Sequence, residues 1–440
     1  MTSFARKLSW LSGACLASAL SFIPATVNAY PIDAQNTGIE RLKGANVDKL
    51  PAGGRLSASD IHLNLLATSG AAWDFADASK DPQLQAALDQ MFKGRDSSYG
   101  IVVADITDPK DIRWAGVREN RSQIPGSVGK IITMLGFFSE LERAFPDIED
   151  RERILRTRRV TAGEWVKWDD HGVPHFNTET GAMPSGKILP GETFNLSEWI
   201  DFAIAYSANS GAATLWKEAV LLRHFGNAYP PSTEAEAEFF KTTSKADLWK
   251  LSSDAVSRPM LGAGLDPDTF WIGSYWTRTA KTIIPGNGGS RGTPLEMARF
   301  LVRLEQGRLV DNWSSAQMKS YLYTTSRRYR YVFSDELKPA AVYFKSGSLY
   351  SCREEEGFSC GKYMGNAQNL MNSISIVETP AGTAEDQRRY VVALMSDVRK
   401  VNSAWDHSRI GAAIDQMVKT RSAAKIQETA SEAEKKAAAG

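Results

Sequence analysis

The sequence predicts an α/β (α+β) sandwich in which an antiparallel sheet is flanked by helices and joined to an all-helical subdomain. The prediction rests on the order of the elements. A helix pattern and two strand patterns come first, a long and mainly helical block fills the middle, and strand patterns followed by a helix come last. This order suits layers of secondary structure packed around a common core. The chain contains no internal repeat.

The same patterns divide the chain into parts. We expect residues 82–126 and 340–420 to form the α/β part, and residues 127–339 to form the mainly helical part. Residues 30–81 have a mixed pattern and predict a partly irregular N-terminal extension, either packed on the domain or loosely tethered. Residues 421–440 are rich in Ala, Lys and Glu with few large apolar groups, which predicts a disordered tail.

The elements before the helical block are the easiest to predict. Pro82–Phe92 has apolar residues on one face of a helix. Tyr99–Ile106 is rich in β-branched residues and predicts a strand. Ile112–Val117 follows across a turn that contains proline, so we expect it to be the antiparallel neighbour of that strand.

The later elements complete the predicted sandwich. Leu196–Tyr206 predicts a helix, and Thr293–Leu301 predicts another that has proline in its first turn. Strand patterns follow at Ser373–Glu378 and Tyr390–Met395, and Ser408–Val418 predicts a last helix.

The first 29 residues predict a secretory signal peptide. Arg6 and Lys7 form a short basic start, and Leu8–Ile23 is apolar or small. Val27-Asn28-Ala29 then places small residues at the positions that determine cleavage. We therefore expect a mature chain that begins at Tyr30 and is exported from a bacterial cytoplasm, to the periplasm or the medium.

The overall charge argues against two kinds of partner. Lys and Arg total 52 against 51 for Asp and Glu, so the net charge is +1. Nothing in this balance indicates nucleic acid or an anionic membrane surface. Beyond the N-terminus no apolar stretch is long enough to cross a bilayer, so we expect no stable membrane span after cleavage.

The central stretch of the chain runs from Pro125 to Phe138. Pro125 and Gly126 break the preceding pattern, and the apolar residues after them recur at helical spacing. Ser127 should therefore lie in the first turn of a mostly buried helix, with Lys130 one turn further on the same face. A lysine beside a serine hydroxyl in a dry pocket can take its proton and make it nucleophilic.

The Ser-x-x-Lys pattern alone is a weak signal. Ser127 could instead be an N-cap serine, and the same pattern recurs at Ser359 and Lys362, where we interpret it as chance. Two further short motifs strengthen the first match. Ser207-Ala208-Asn209 and Lys345-Ser346-Gly347 follow it in the chain. Three motifs in this order arise by chance far more rarely than one.

The motif set resembles that of class A β-lactamases and their D,D-peptidase relatives, in the serine β-lactamase and penicillin-binding protein superfamily. Thr193–Ala213 is similar to the helix and loop that contain the second motif of the family. Thr293–Leu309 is similar to the helix before the third motif. In outline the resemblance covers residues 82–420, and it is patchy over 140–190 and 220–285. It implies an active-serine hydrolase that forms an acyl-enzyme.

The resemblance also implies roles for the matched residues. Ser127 would be the nucleophile, Lys130 its general base or proton relay, and Ser207 a proton donor towards the leaving nitrogen. Five residues would bind substrate: Asn209, Lys345, Ser346, Gly347 and Ser348. Asn209 would hold the substrate's amide side chain, and Lys345 with Ser346 would bind its carboxylate. The backbone N–H groups of Ser127 and Ser348 would form the oxyanion hole. The resemblance implies no cofactor and no metal.

One departure from the family concerns deacylation. Class A enzymes have a Glu-x-x-x-Asn box between the second and third motifs, and its Glu activates the water that cleaves the acyl-enzyme. No such box lies between Asn209 and Lys345. Four glutamates of this interval lack an Asn four positions later: Glu218, Glu234, Glu236 and Glu238. The second motif also lacks the usual Asp.

We therefore expect a hydrolase that acylates readily and deacylates slowly. The resemblance implies a small-molecule β-lactam or a peptidoglycan-type peptide as its substrate. A D,D-peptidase of the penicillin-binding type is one alternative. A non-catalytic binding protein on the same fold is another, and the intact motifs argue against it.

Three other features bear on function. Export would leave Cys352 and Cys360 in an oxidising compartment, where eight positions apart they predict a disulfide that closes a loop. His171 and His175 lie in an aromatic loop with neighbouring aspartates, and we favour a surface or cleft-edge loop over a metal site there. Residues 286–292 (GNGGSRG) lack the Lys-Ser/Thr of a phosphate loop, which predicts a flexible connector.

Overall fold

A computed structural model describes residues 30–326, 334–382 and 386–438. The predicted signal peptide, residues 1–29, lies outside this part of the chain. The predicted architecture is confirmed, because an antiparallel sheet is flanked by helices and the middle of the chain adds a helical part. The five-stranded sheet has the order β2-β1-β9-β8-β7, and each neighbouring pair of strands is antiparallel.

The strands of this sheet come from both ends of the described chain. Two short two-stranded sheets, β3 with β6 and β4 with β5, lie between them in sequence. The strands are β1 Gly100–Asp105, β2 Arg113–Val117, β3 Arg159–Thr161, β4 Val173–Pro174, β5 Ser185–Gly186, β6 Thr193–Asn195, β7 Ala341–Ser351, β8 Gln368–Thr379 and β9 Arg388–Asp397. The sequence pattern does not indicate β7, because Lys345-Ser346-Gly347-Ser348 interrupts its apolar residues.

The helices cover both faces of the sheet and build the helical part. They are α1 Pro82–Phe92, α2 Lys130–Ala144, α3 Ile148–Thr157, α4 Leu196–Ile204, α5 Asn209–Phe225, α6 Thr233–Thr242, α7 Lys245–Gly262, α8 Arg278–Ile283, α9 Pro294–Glu305, α10 Asn312–Tyr323 and α11 Ser403–Ala438. The alternation of residues along each strand separates two cores. Val103 and Leu394 pack with α1 and α11 on one face, whereas Val102 and Ala393 belong to the larger core that continues into the helical part.

Helix α2 is the centre of the larger core. Its apolar residues are buried, and exposure is confined to its C-terminal part, where Arg143 is exposed. It packs against α5 and α7, and a Cβ at Gly136 would lie 2.8 Å from the carbonyl oxygen of Ala255 on α7. Because this helix begins at Lys130, its burial holds the Ser-x-x-Lys motif in a fixed place.

The N-terminal extension is packed on the domain through a series of short 3₁₀ turns. The Arg41 guanidinium forms a buried ion pair with Asp201 of α4, at 2.6 Å. The backbone N–H of Gly53 donates to the carbonyl oxygen of Lys338, just before β7. The backbone N–H of Leu65 donates to the carbonyl oxygen of Glu305, at the end of α9. Of the two alternatives in the sequence analysis, the packed arrangement is therefore correct.

The predicted disordered tail is wrong for the described residues after 420. Helix α11 continues to Ala438, well beyond the predicted end at Val418. The Arg421 side chain is part of the reason, because its guanidinium pairs with Asp81 at 2.6 Å and also with Asp105. These ion pairs link the helix to the start of α1 and the end of β1. No helix within the described ranges is both long and apolar enough to cross a membrane.

Candidate active site

The turn that contains Ser127 is anchored to the sheet. Gly126 has a φ of +53°, a left-handed conformation that glycine adopts readily, and it turns the chain into a 3₁₀ segment that leads directly into α2. The side-chain amide of Asn372 on β8 donates to the carbonyl oxygen of Ile124 at 2.9 Å. The side chain of Gln123 donates to Asn372 at 2.8 Å. The sheet thus fixes the position of the serine.

Lys130 joins the first and second motifs. Its Nζ lies 2.7 Å from the Ser127 Oγ, 2.8 Å from the Asn209 Oδ1 and 3.0 Å from the Ser207 carbonyl oxygen. The side chain is 1% exposed. The amine is therefore shielded from bulk solvent, and the three contacts above are all with protein atoms around the serine.

The second and third motifs meet at Ser207. This residue has a φ of +61°, an uncommon conformation for a residue with a side chain, and it directly precedes the short turn into α5. Its hydroxyl accepts a hydrogen bond from the Lys345 Nζ of β7 at 2.8 Å, and the same amine donates to the Ser346 carbonyl oxygen at 2.9 Å. Such an outlier in a bonded network is typical of functional sites.

Gly347 allows strand β7 to approach the serine turn closely. A Cβ at this position would lie 2.3 Å from the carbonyl oxygen of Pro125 and 2.8 Å from the backbone nitrogen of Ser127. Any side chain here would therefore push the strand away from the turn. The predicted site residues of all three motifs are thus brought together, with glycine required at the closest contact.

Ser127, Ser207 and Asn209 line a cleft of about 650 Å³. We call this side the polar wall, and we include in it the buried Lys130 and Lys345, which contact these residues. Other residues that line the cleft come from several segments: Asp170, His171, Gly172, Ser274, Tyr275, Trp276, Lys281, Ser290, Ser346, Ser348, Tyr350, Lys362 and Tyr363. A cleft of this volume accommodates a small molecule or a short peptide segment.

A second side, which we call the aromatic wall, is formed by residues 274–281. The Trp276 ring lies over the Lys130 ammonium at 4.6 Å, and its indole N–H donates to the Thr133 hydroxyl at 3.2 Å. Tyr275 stacks on Trp216 of α5 with ring centroids 4.3 Å apart. Aromatic rings rather than carboxylates therefore face Lys130 from this side.

The acidic groups of the cleft do not include a candidate deacylating base. Among the described residues that line it, Asp170 is the acidic one, and its side chain is 91% exposed and paired with Lys187. Glu218 is buried on α5, where it accepts from the Tyr229 hydroxyl at 2.6 Å. The Glu236 carboxylate, on α6, pairs with the Lys217 Nζ at 2.8 Å. These groups are committed to structural contacts.

The aromatic loop 165–175 lies at the edge of the cleft, as we favoured. The Asp169 carboxylate accepts hydrogen bonds from the backbone N–H and the hydroxyl of Ser210, at 2.7 and 2.8 Å, and it lies 2.6 Å from the Nδ1 of His171. Burial raises the pKa of Asp169, but the interactions with His171 and Ser210 outweigh burial, so the pKa falls to about 2. His175 instead faces Glu192 at 3.2 Å.

Two other predictions can be compared with the structure. Cys352 and Cys360 form a disulfide, as predicted. The last two residues of the predicted flexible connector, 286–292, are paired with other segments. Arg291 pairs with Trp271, shortly before the aromatic wall, and Gly292 pairs with Gln123, just before the serine turn, in antiparallel bridges. The glycine-rich composition gave no indication of these backbone pairings.

Several residues of the cleft were not identified from the sequence as site residues. His171 was considered only as a metal ligand, and Lys362 only as part of a chance Ser-x-x-Lys match. Trp276 was not singled out, because a tryptophan in a loop gives no sequence signal of its contact with Lys130. Within the described ranges, no group of three or more His, Cys, Asp or Glu residues is arranged to hold a metal ion.

Solved structures similar to this chain include two β-lactamases and a mutant of PBP-A. A β-lactamase from Chitinophaga pinensis DSM 2588 is 13% identical, with a TM-score of 0.48 over 76% of this chain and 99% of that one. A β-lactamase from Sphaerobacter thermophilus DSM 20745 is 16% identical, with a TM-score of 0.48 over 76% and 96%. A mutant of PBP-A, in an acyl-enzyme complex with penicillin G, is 14% identical, with a TM-score of 0.46 over 77% and 96%.

The family comparison gives a direct assignment. None of the curated proteins compared with the chain matches it significantly. Residues 83–418 match the profile of a family described as the beta-lactamase enzyme family, and this match spans more than half of the chain. The chain therefore belongs to the β-lactamase enzyme family, and it is a serine hydrolase of the β-lactamase type.

Proposed function

We propose that this protein is an exported acyl-transfer enzyme whose nucleophile is Ser127. The observation that carries the proposal is the 2.7 Å contact between the Lys130 Nζ and the Ser127 Oγ. A neutral amine has two N–H groups and one lone pair. Nζ also lies within hydrogen-bond distance of the carbonyl oxygens of Ser207 and Asn209, which only accept hydrogen bonds. A neutral Lys130 that donates to both of these oxygens would direct its lone pair at the Ser127 hydroxyl.

The proposed acylation starts when this lone pair takes the Ser127 proton and the oxygen attacks a substrate carbonyl. The N–H groups of Ser127 and Ser348 would stabilise the oxyanion. Ser207, in contact with Lys345, would deliver a proton to the leaving nitrogen. Lys345 and Ser346 would hold the substrate carboxylate, which fits a β-lactam or the end of a peptidoglycan-type peptide.

We further propose that deacylation is slow. An ester at Ser127 is cleaved by water that a base activates, and the loss of one positioned base typically costs about two to four orders of magnitude in rate. Beside Lys130 the cleft presents the ring of Trp276, and the one carboxylate among the described residues that line the cleft is the exposed Asp170. This arrangement favours a penicillin-binding or D,D-peptidase activity over rapid hydrolysis of β-lactams.

Labelling with a fluorescent penicillin tests acylation. We expect one label per folded molecule, attached to Ser127, and no label on Ser127→Ala. Ser359→Ala is a matched control from the second Ser-x-x-Lys pattern and should be labelled like the wild type. A label that persists on Ser127→Ala, or its absence from folded wild-type protein, would overturn the proposal.

Turnover of a chromogenic β-lactam tests deacylation. We expect a burst equal to the enzyme concentration, followed by a slow steady state, because the acyl-enzyme should persist for minutes or longer. Rapid turnover without a burst would show that another residue activates the water, and would favour the β-lactamase activity.

Export rests on the predicted signal peptide and is supported by the Cys352–Cys360 disulfide. We expect the protein in the periplasm or the medium, with Tyr30 as its first residue and no free thiol. N-terminal sequencing and alkylation under non-reducing conditions measure both. A chain that retains residues 1–29 in the cytoplasm, or two thiols open to alkylation, would contradict export.

A further inference from the structure

His171 is a polar group of the cleft that the proposed chemistry does not use. It lines the cleft together with Ser207 and Asn209, and its side chain is 32% exposed. The loop that presents it is held from both sides. The Thr277 hydroxyl donates to the carbonyl oxygen of Trp165 at 2.8 Å, and Val173 is fully buried in the strand that follows.

Asp169 fixes the orientation of this histidine. One carboxylate oxygen lies 2.6 Å from the His171 Nδ1 and also accepts the backbone N–H of His171. The other oxygen accepts both hydrogen bonds from Ser210, the second residue of α5. One buried carboxylate therefore ties the loop to the helix that begins with Asn209, and it locks the imidazole ring to that helix.

The same contact determines which nitrogen carries the proton. The depressed pKa of Asp169 keeps the carboxylate ionised at neutral pH, so it can only accept a hydrogen bond. The neutral imidazole must therefore carry its proton on Nδ1, and its Nε2 is left as an acceptor. Among the residues that the structure describes, no group hydrogen-bonds to this Nε2.

The cleft combines cations with an acceptor nitrogen. Lys345 is part of the polar wall, and Lys281 and Lys362 line the cleft. His171 and Asp170 also line it, Lys187 pairs with Asp170, and the buried Asp169 supports His171. A substrate with a carboxylate near Lys345 and a hydrogen-bond donor near His171 would complement both groups.

We propose that His171 is a specificity residue whose Nε2 accepts a hydrogen bond from a primary ammonium on the acyl portion of the substrate, and that Asp169 is its positioning residue. This inference rests on the proposed acylation of Ser127. It narrows the substrate class to acyl donors with a carboxylate on the leaving side and an amine on the acyl side. Such a substrate is a peptide-like zwitterion rather than a simple anion.

Two penicillins that differ in one group provide the test. Ampicillin has an amino group on its acyl side chain, and benzylpenicillin lacks it. We expect the wild-type acylation rate constant for ampicillin to exceed that for benzylpenicillin. His171→Ala should lower the ampicillin constant about ten- to a hundredfold, the worth of one hydrogen bond to a charged group, and leave the benzylpenicillin constant unchanged. His171→Gln, whose Oε1 also accepts, should restore most of the preference.

Controls separate this inference from structural damage and from the proposed function. His175→Ala, four residues along the same loop, should retain the wild-type ratio. Asp169→Asn should lower the ratio of the two constants, whereas a purely structural defect would lower both constants equally. The inference is wrong if the wild type shows no preference, or if His171→Ala lowers both constants by the same factor. If neither penicillin acylates Ser127, it is the proposed function that fails.

Discussion

The two walls of the cleft make different kinds of contact with the Lys130 amine. On the polar wall, the amine contacts Ser127, Asn209 and the Ser207 backbone, all at hydrogen-bond distance. On the aromatic wall, it contacts the face of Trp276 at 4.6 Å, and that ring neither accepts nor delivers a proton. The proposed acylation uses the groups of the polar wall, whereas the proposed slow deacylation rests on the aromatic wall. Fold membership alone would not reveal this difference, because both walls belong to the same cleft.

The largest expected effect comes from removing the amine itself. Lys130→Met keeps the length and apolar character of the stem but loses the lone pair that faces Ser127. We expect acylation by penicillin to slow by about two to four orders of magnitude, the usual contribution of a general base. Stopped-flow or gel-based labelling measures this rate. Lys250→Met, on the exposed face of α7, is the matched control, and a similar loss there would refute the assignment.

A smaller effect should follow from displacing strand β7. Gly347→Ala would place a Cβ 2.3 Å from the Pro125 carbonyl oxygen, so the strand must move relative to Ser127. A misplacement of about 1 Å can reduce the rate about 100-fold. We expect a loss of labelling of this order with the fold retained by circular dichroism. Gly262→Ala has open space around the new Cβ and should label normally. Normal labelling of Gly347→Ala would contradict the close contact.

The aromatic wall can be tested by its effect on deacylation. Trp276→Ala removes the ring that covers Lys130 and admits water beside the ester, so the acyl-enzyme should decay about tenfold faster. Trp276→Phe retains a ring over the amine and should decay at nearly the wild-type rate. Release of bound fluorescent penicillin over time measures both variants. If the two variants decay equally, the ring is not what protects the ester.

The smallest expected effect on activity concerns the support of the polar wall. Glu198 lies in the first turn of α4, the helix that precedes Ser207, and it accepts the backbone N–H of Asn195 at 3.0 Å. Burial, together with the charges of Glu40 and Asp201, raises its pKa from 4.5 to about 7. The folded protein therefore holds this proton more tightly than the unfolded chain does. Its stabilising contribution is complete below pH 4.5 and is lost as the pH rises through 7.

Urea unfolding at pH 4.5 and pH 8 measures this contribution. From the shift in pKa, the wild-type free energy of unfolding should fall by about 3 kcal/mol more than that of Glu198→Gln over this interval. Labelling of Ser127 by penicillin should be almost unchanged in the variant. Parallel pH dependence in the two proteins would show that Glu198 does not titrate in this range.

Much of the fold, and the side chains that meet at the candidate site, could be predicted from the sequence, because both depend on local patterns. Helical and strand periodicity identified α1, β1, β2 and the helix that contains Lys130. The order of three short motifs identified Ser127, Ser207, Asn209 and Lys345 before any contact was known. The two cysteines identified their own disulfide. Each of these inferences used residues close in sequence or residue types that few other roles require.

The tertiary structure decided what surrounds those groups. Trp276 covers Lys130 from 146 positions away in the chain, and Asp169 reaches Ser210 from 41 positions away. Arg421 stabilises a helix that composition alone had assigned to disorder. Such contacts depend on how distant segments pack, and nothing in the local pattern of either partner encodes them. The sequence by itself therefore determined which side chains are available for chemistry, whereas the packing of remote segments decided which bases, rings and acceptors face them.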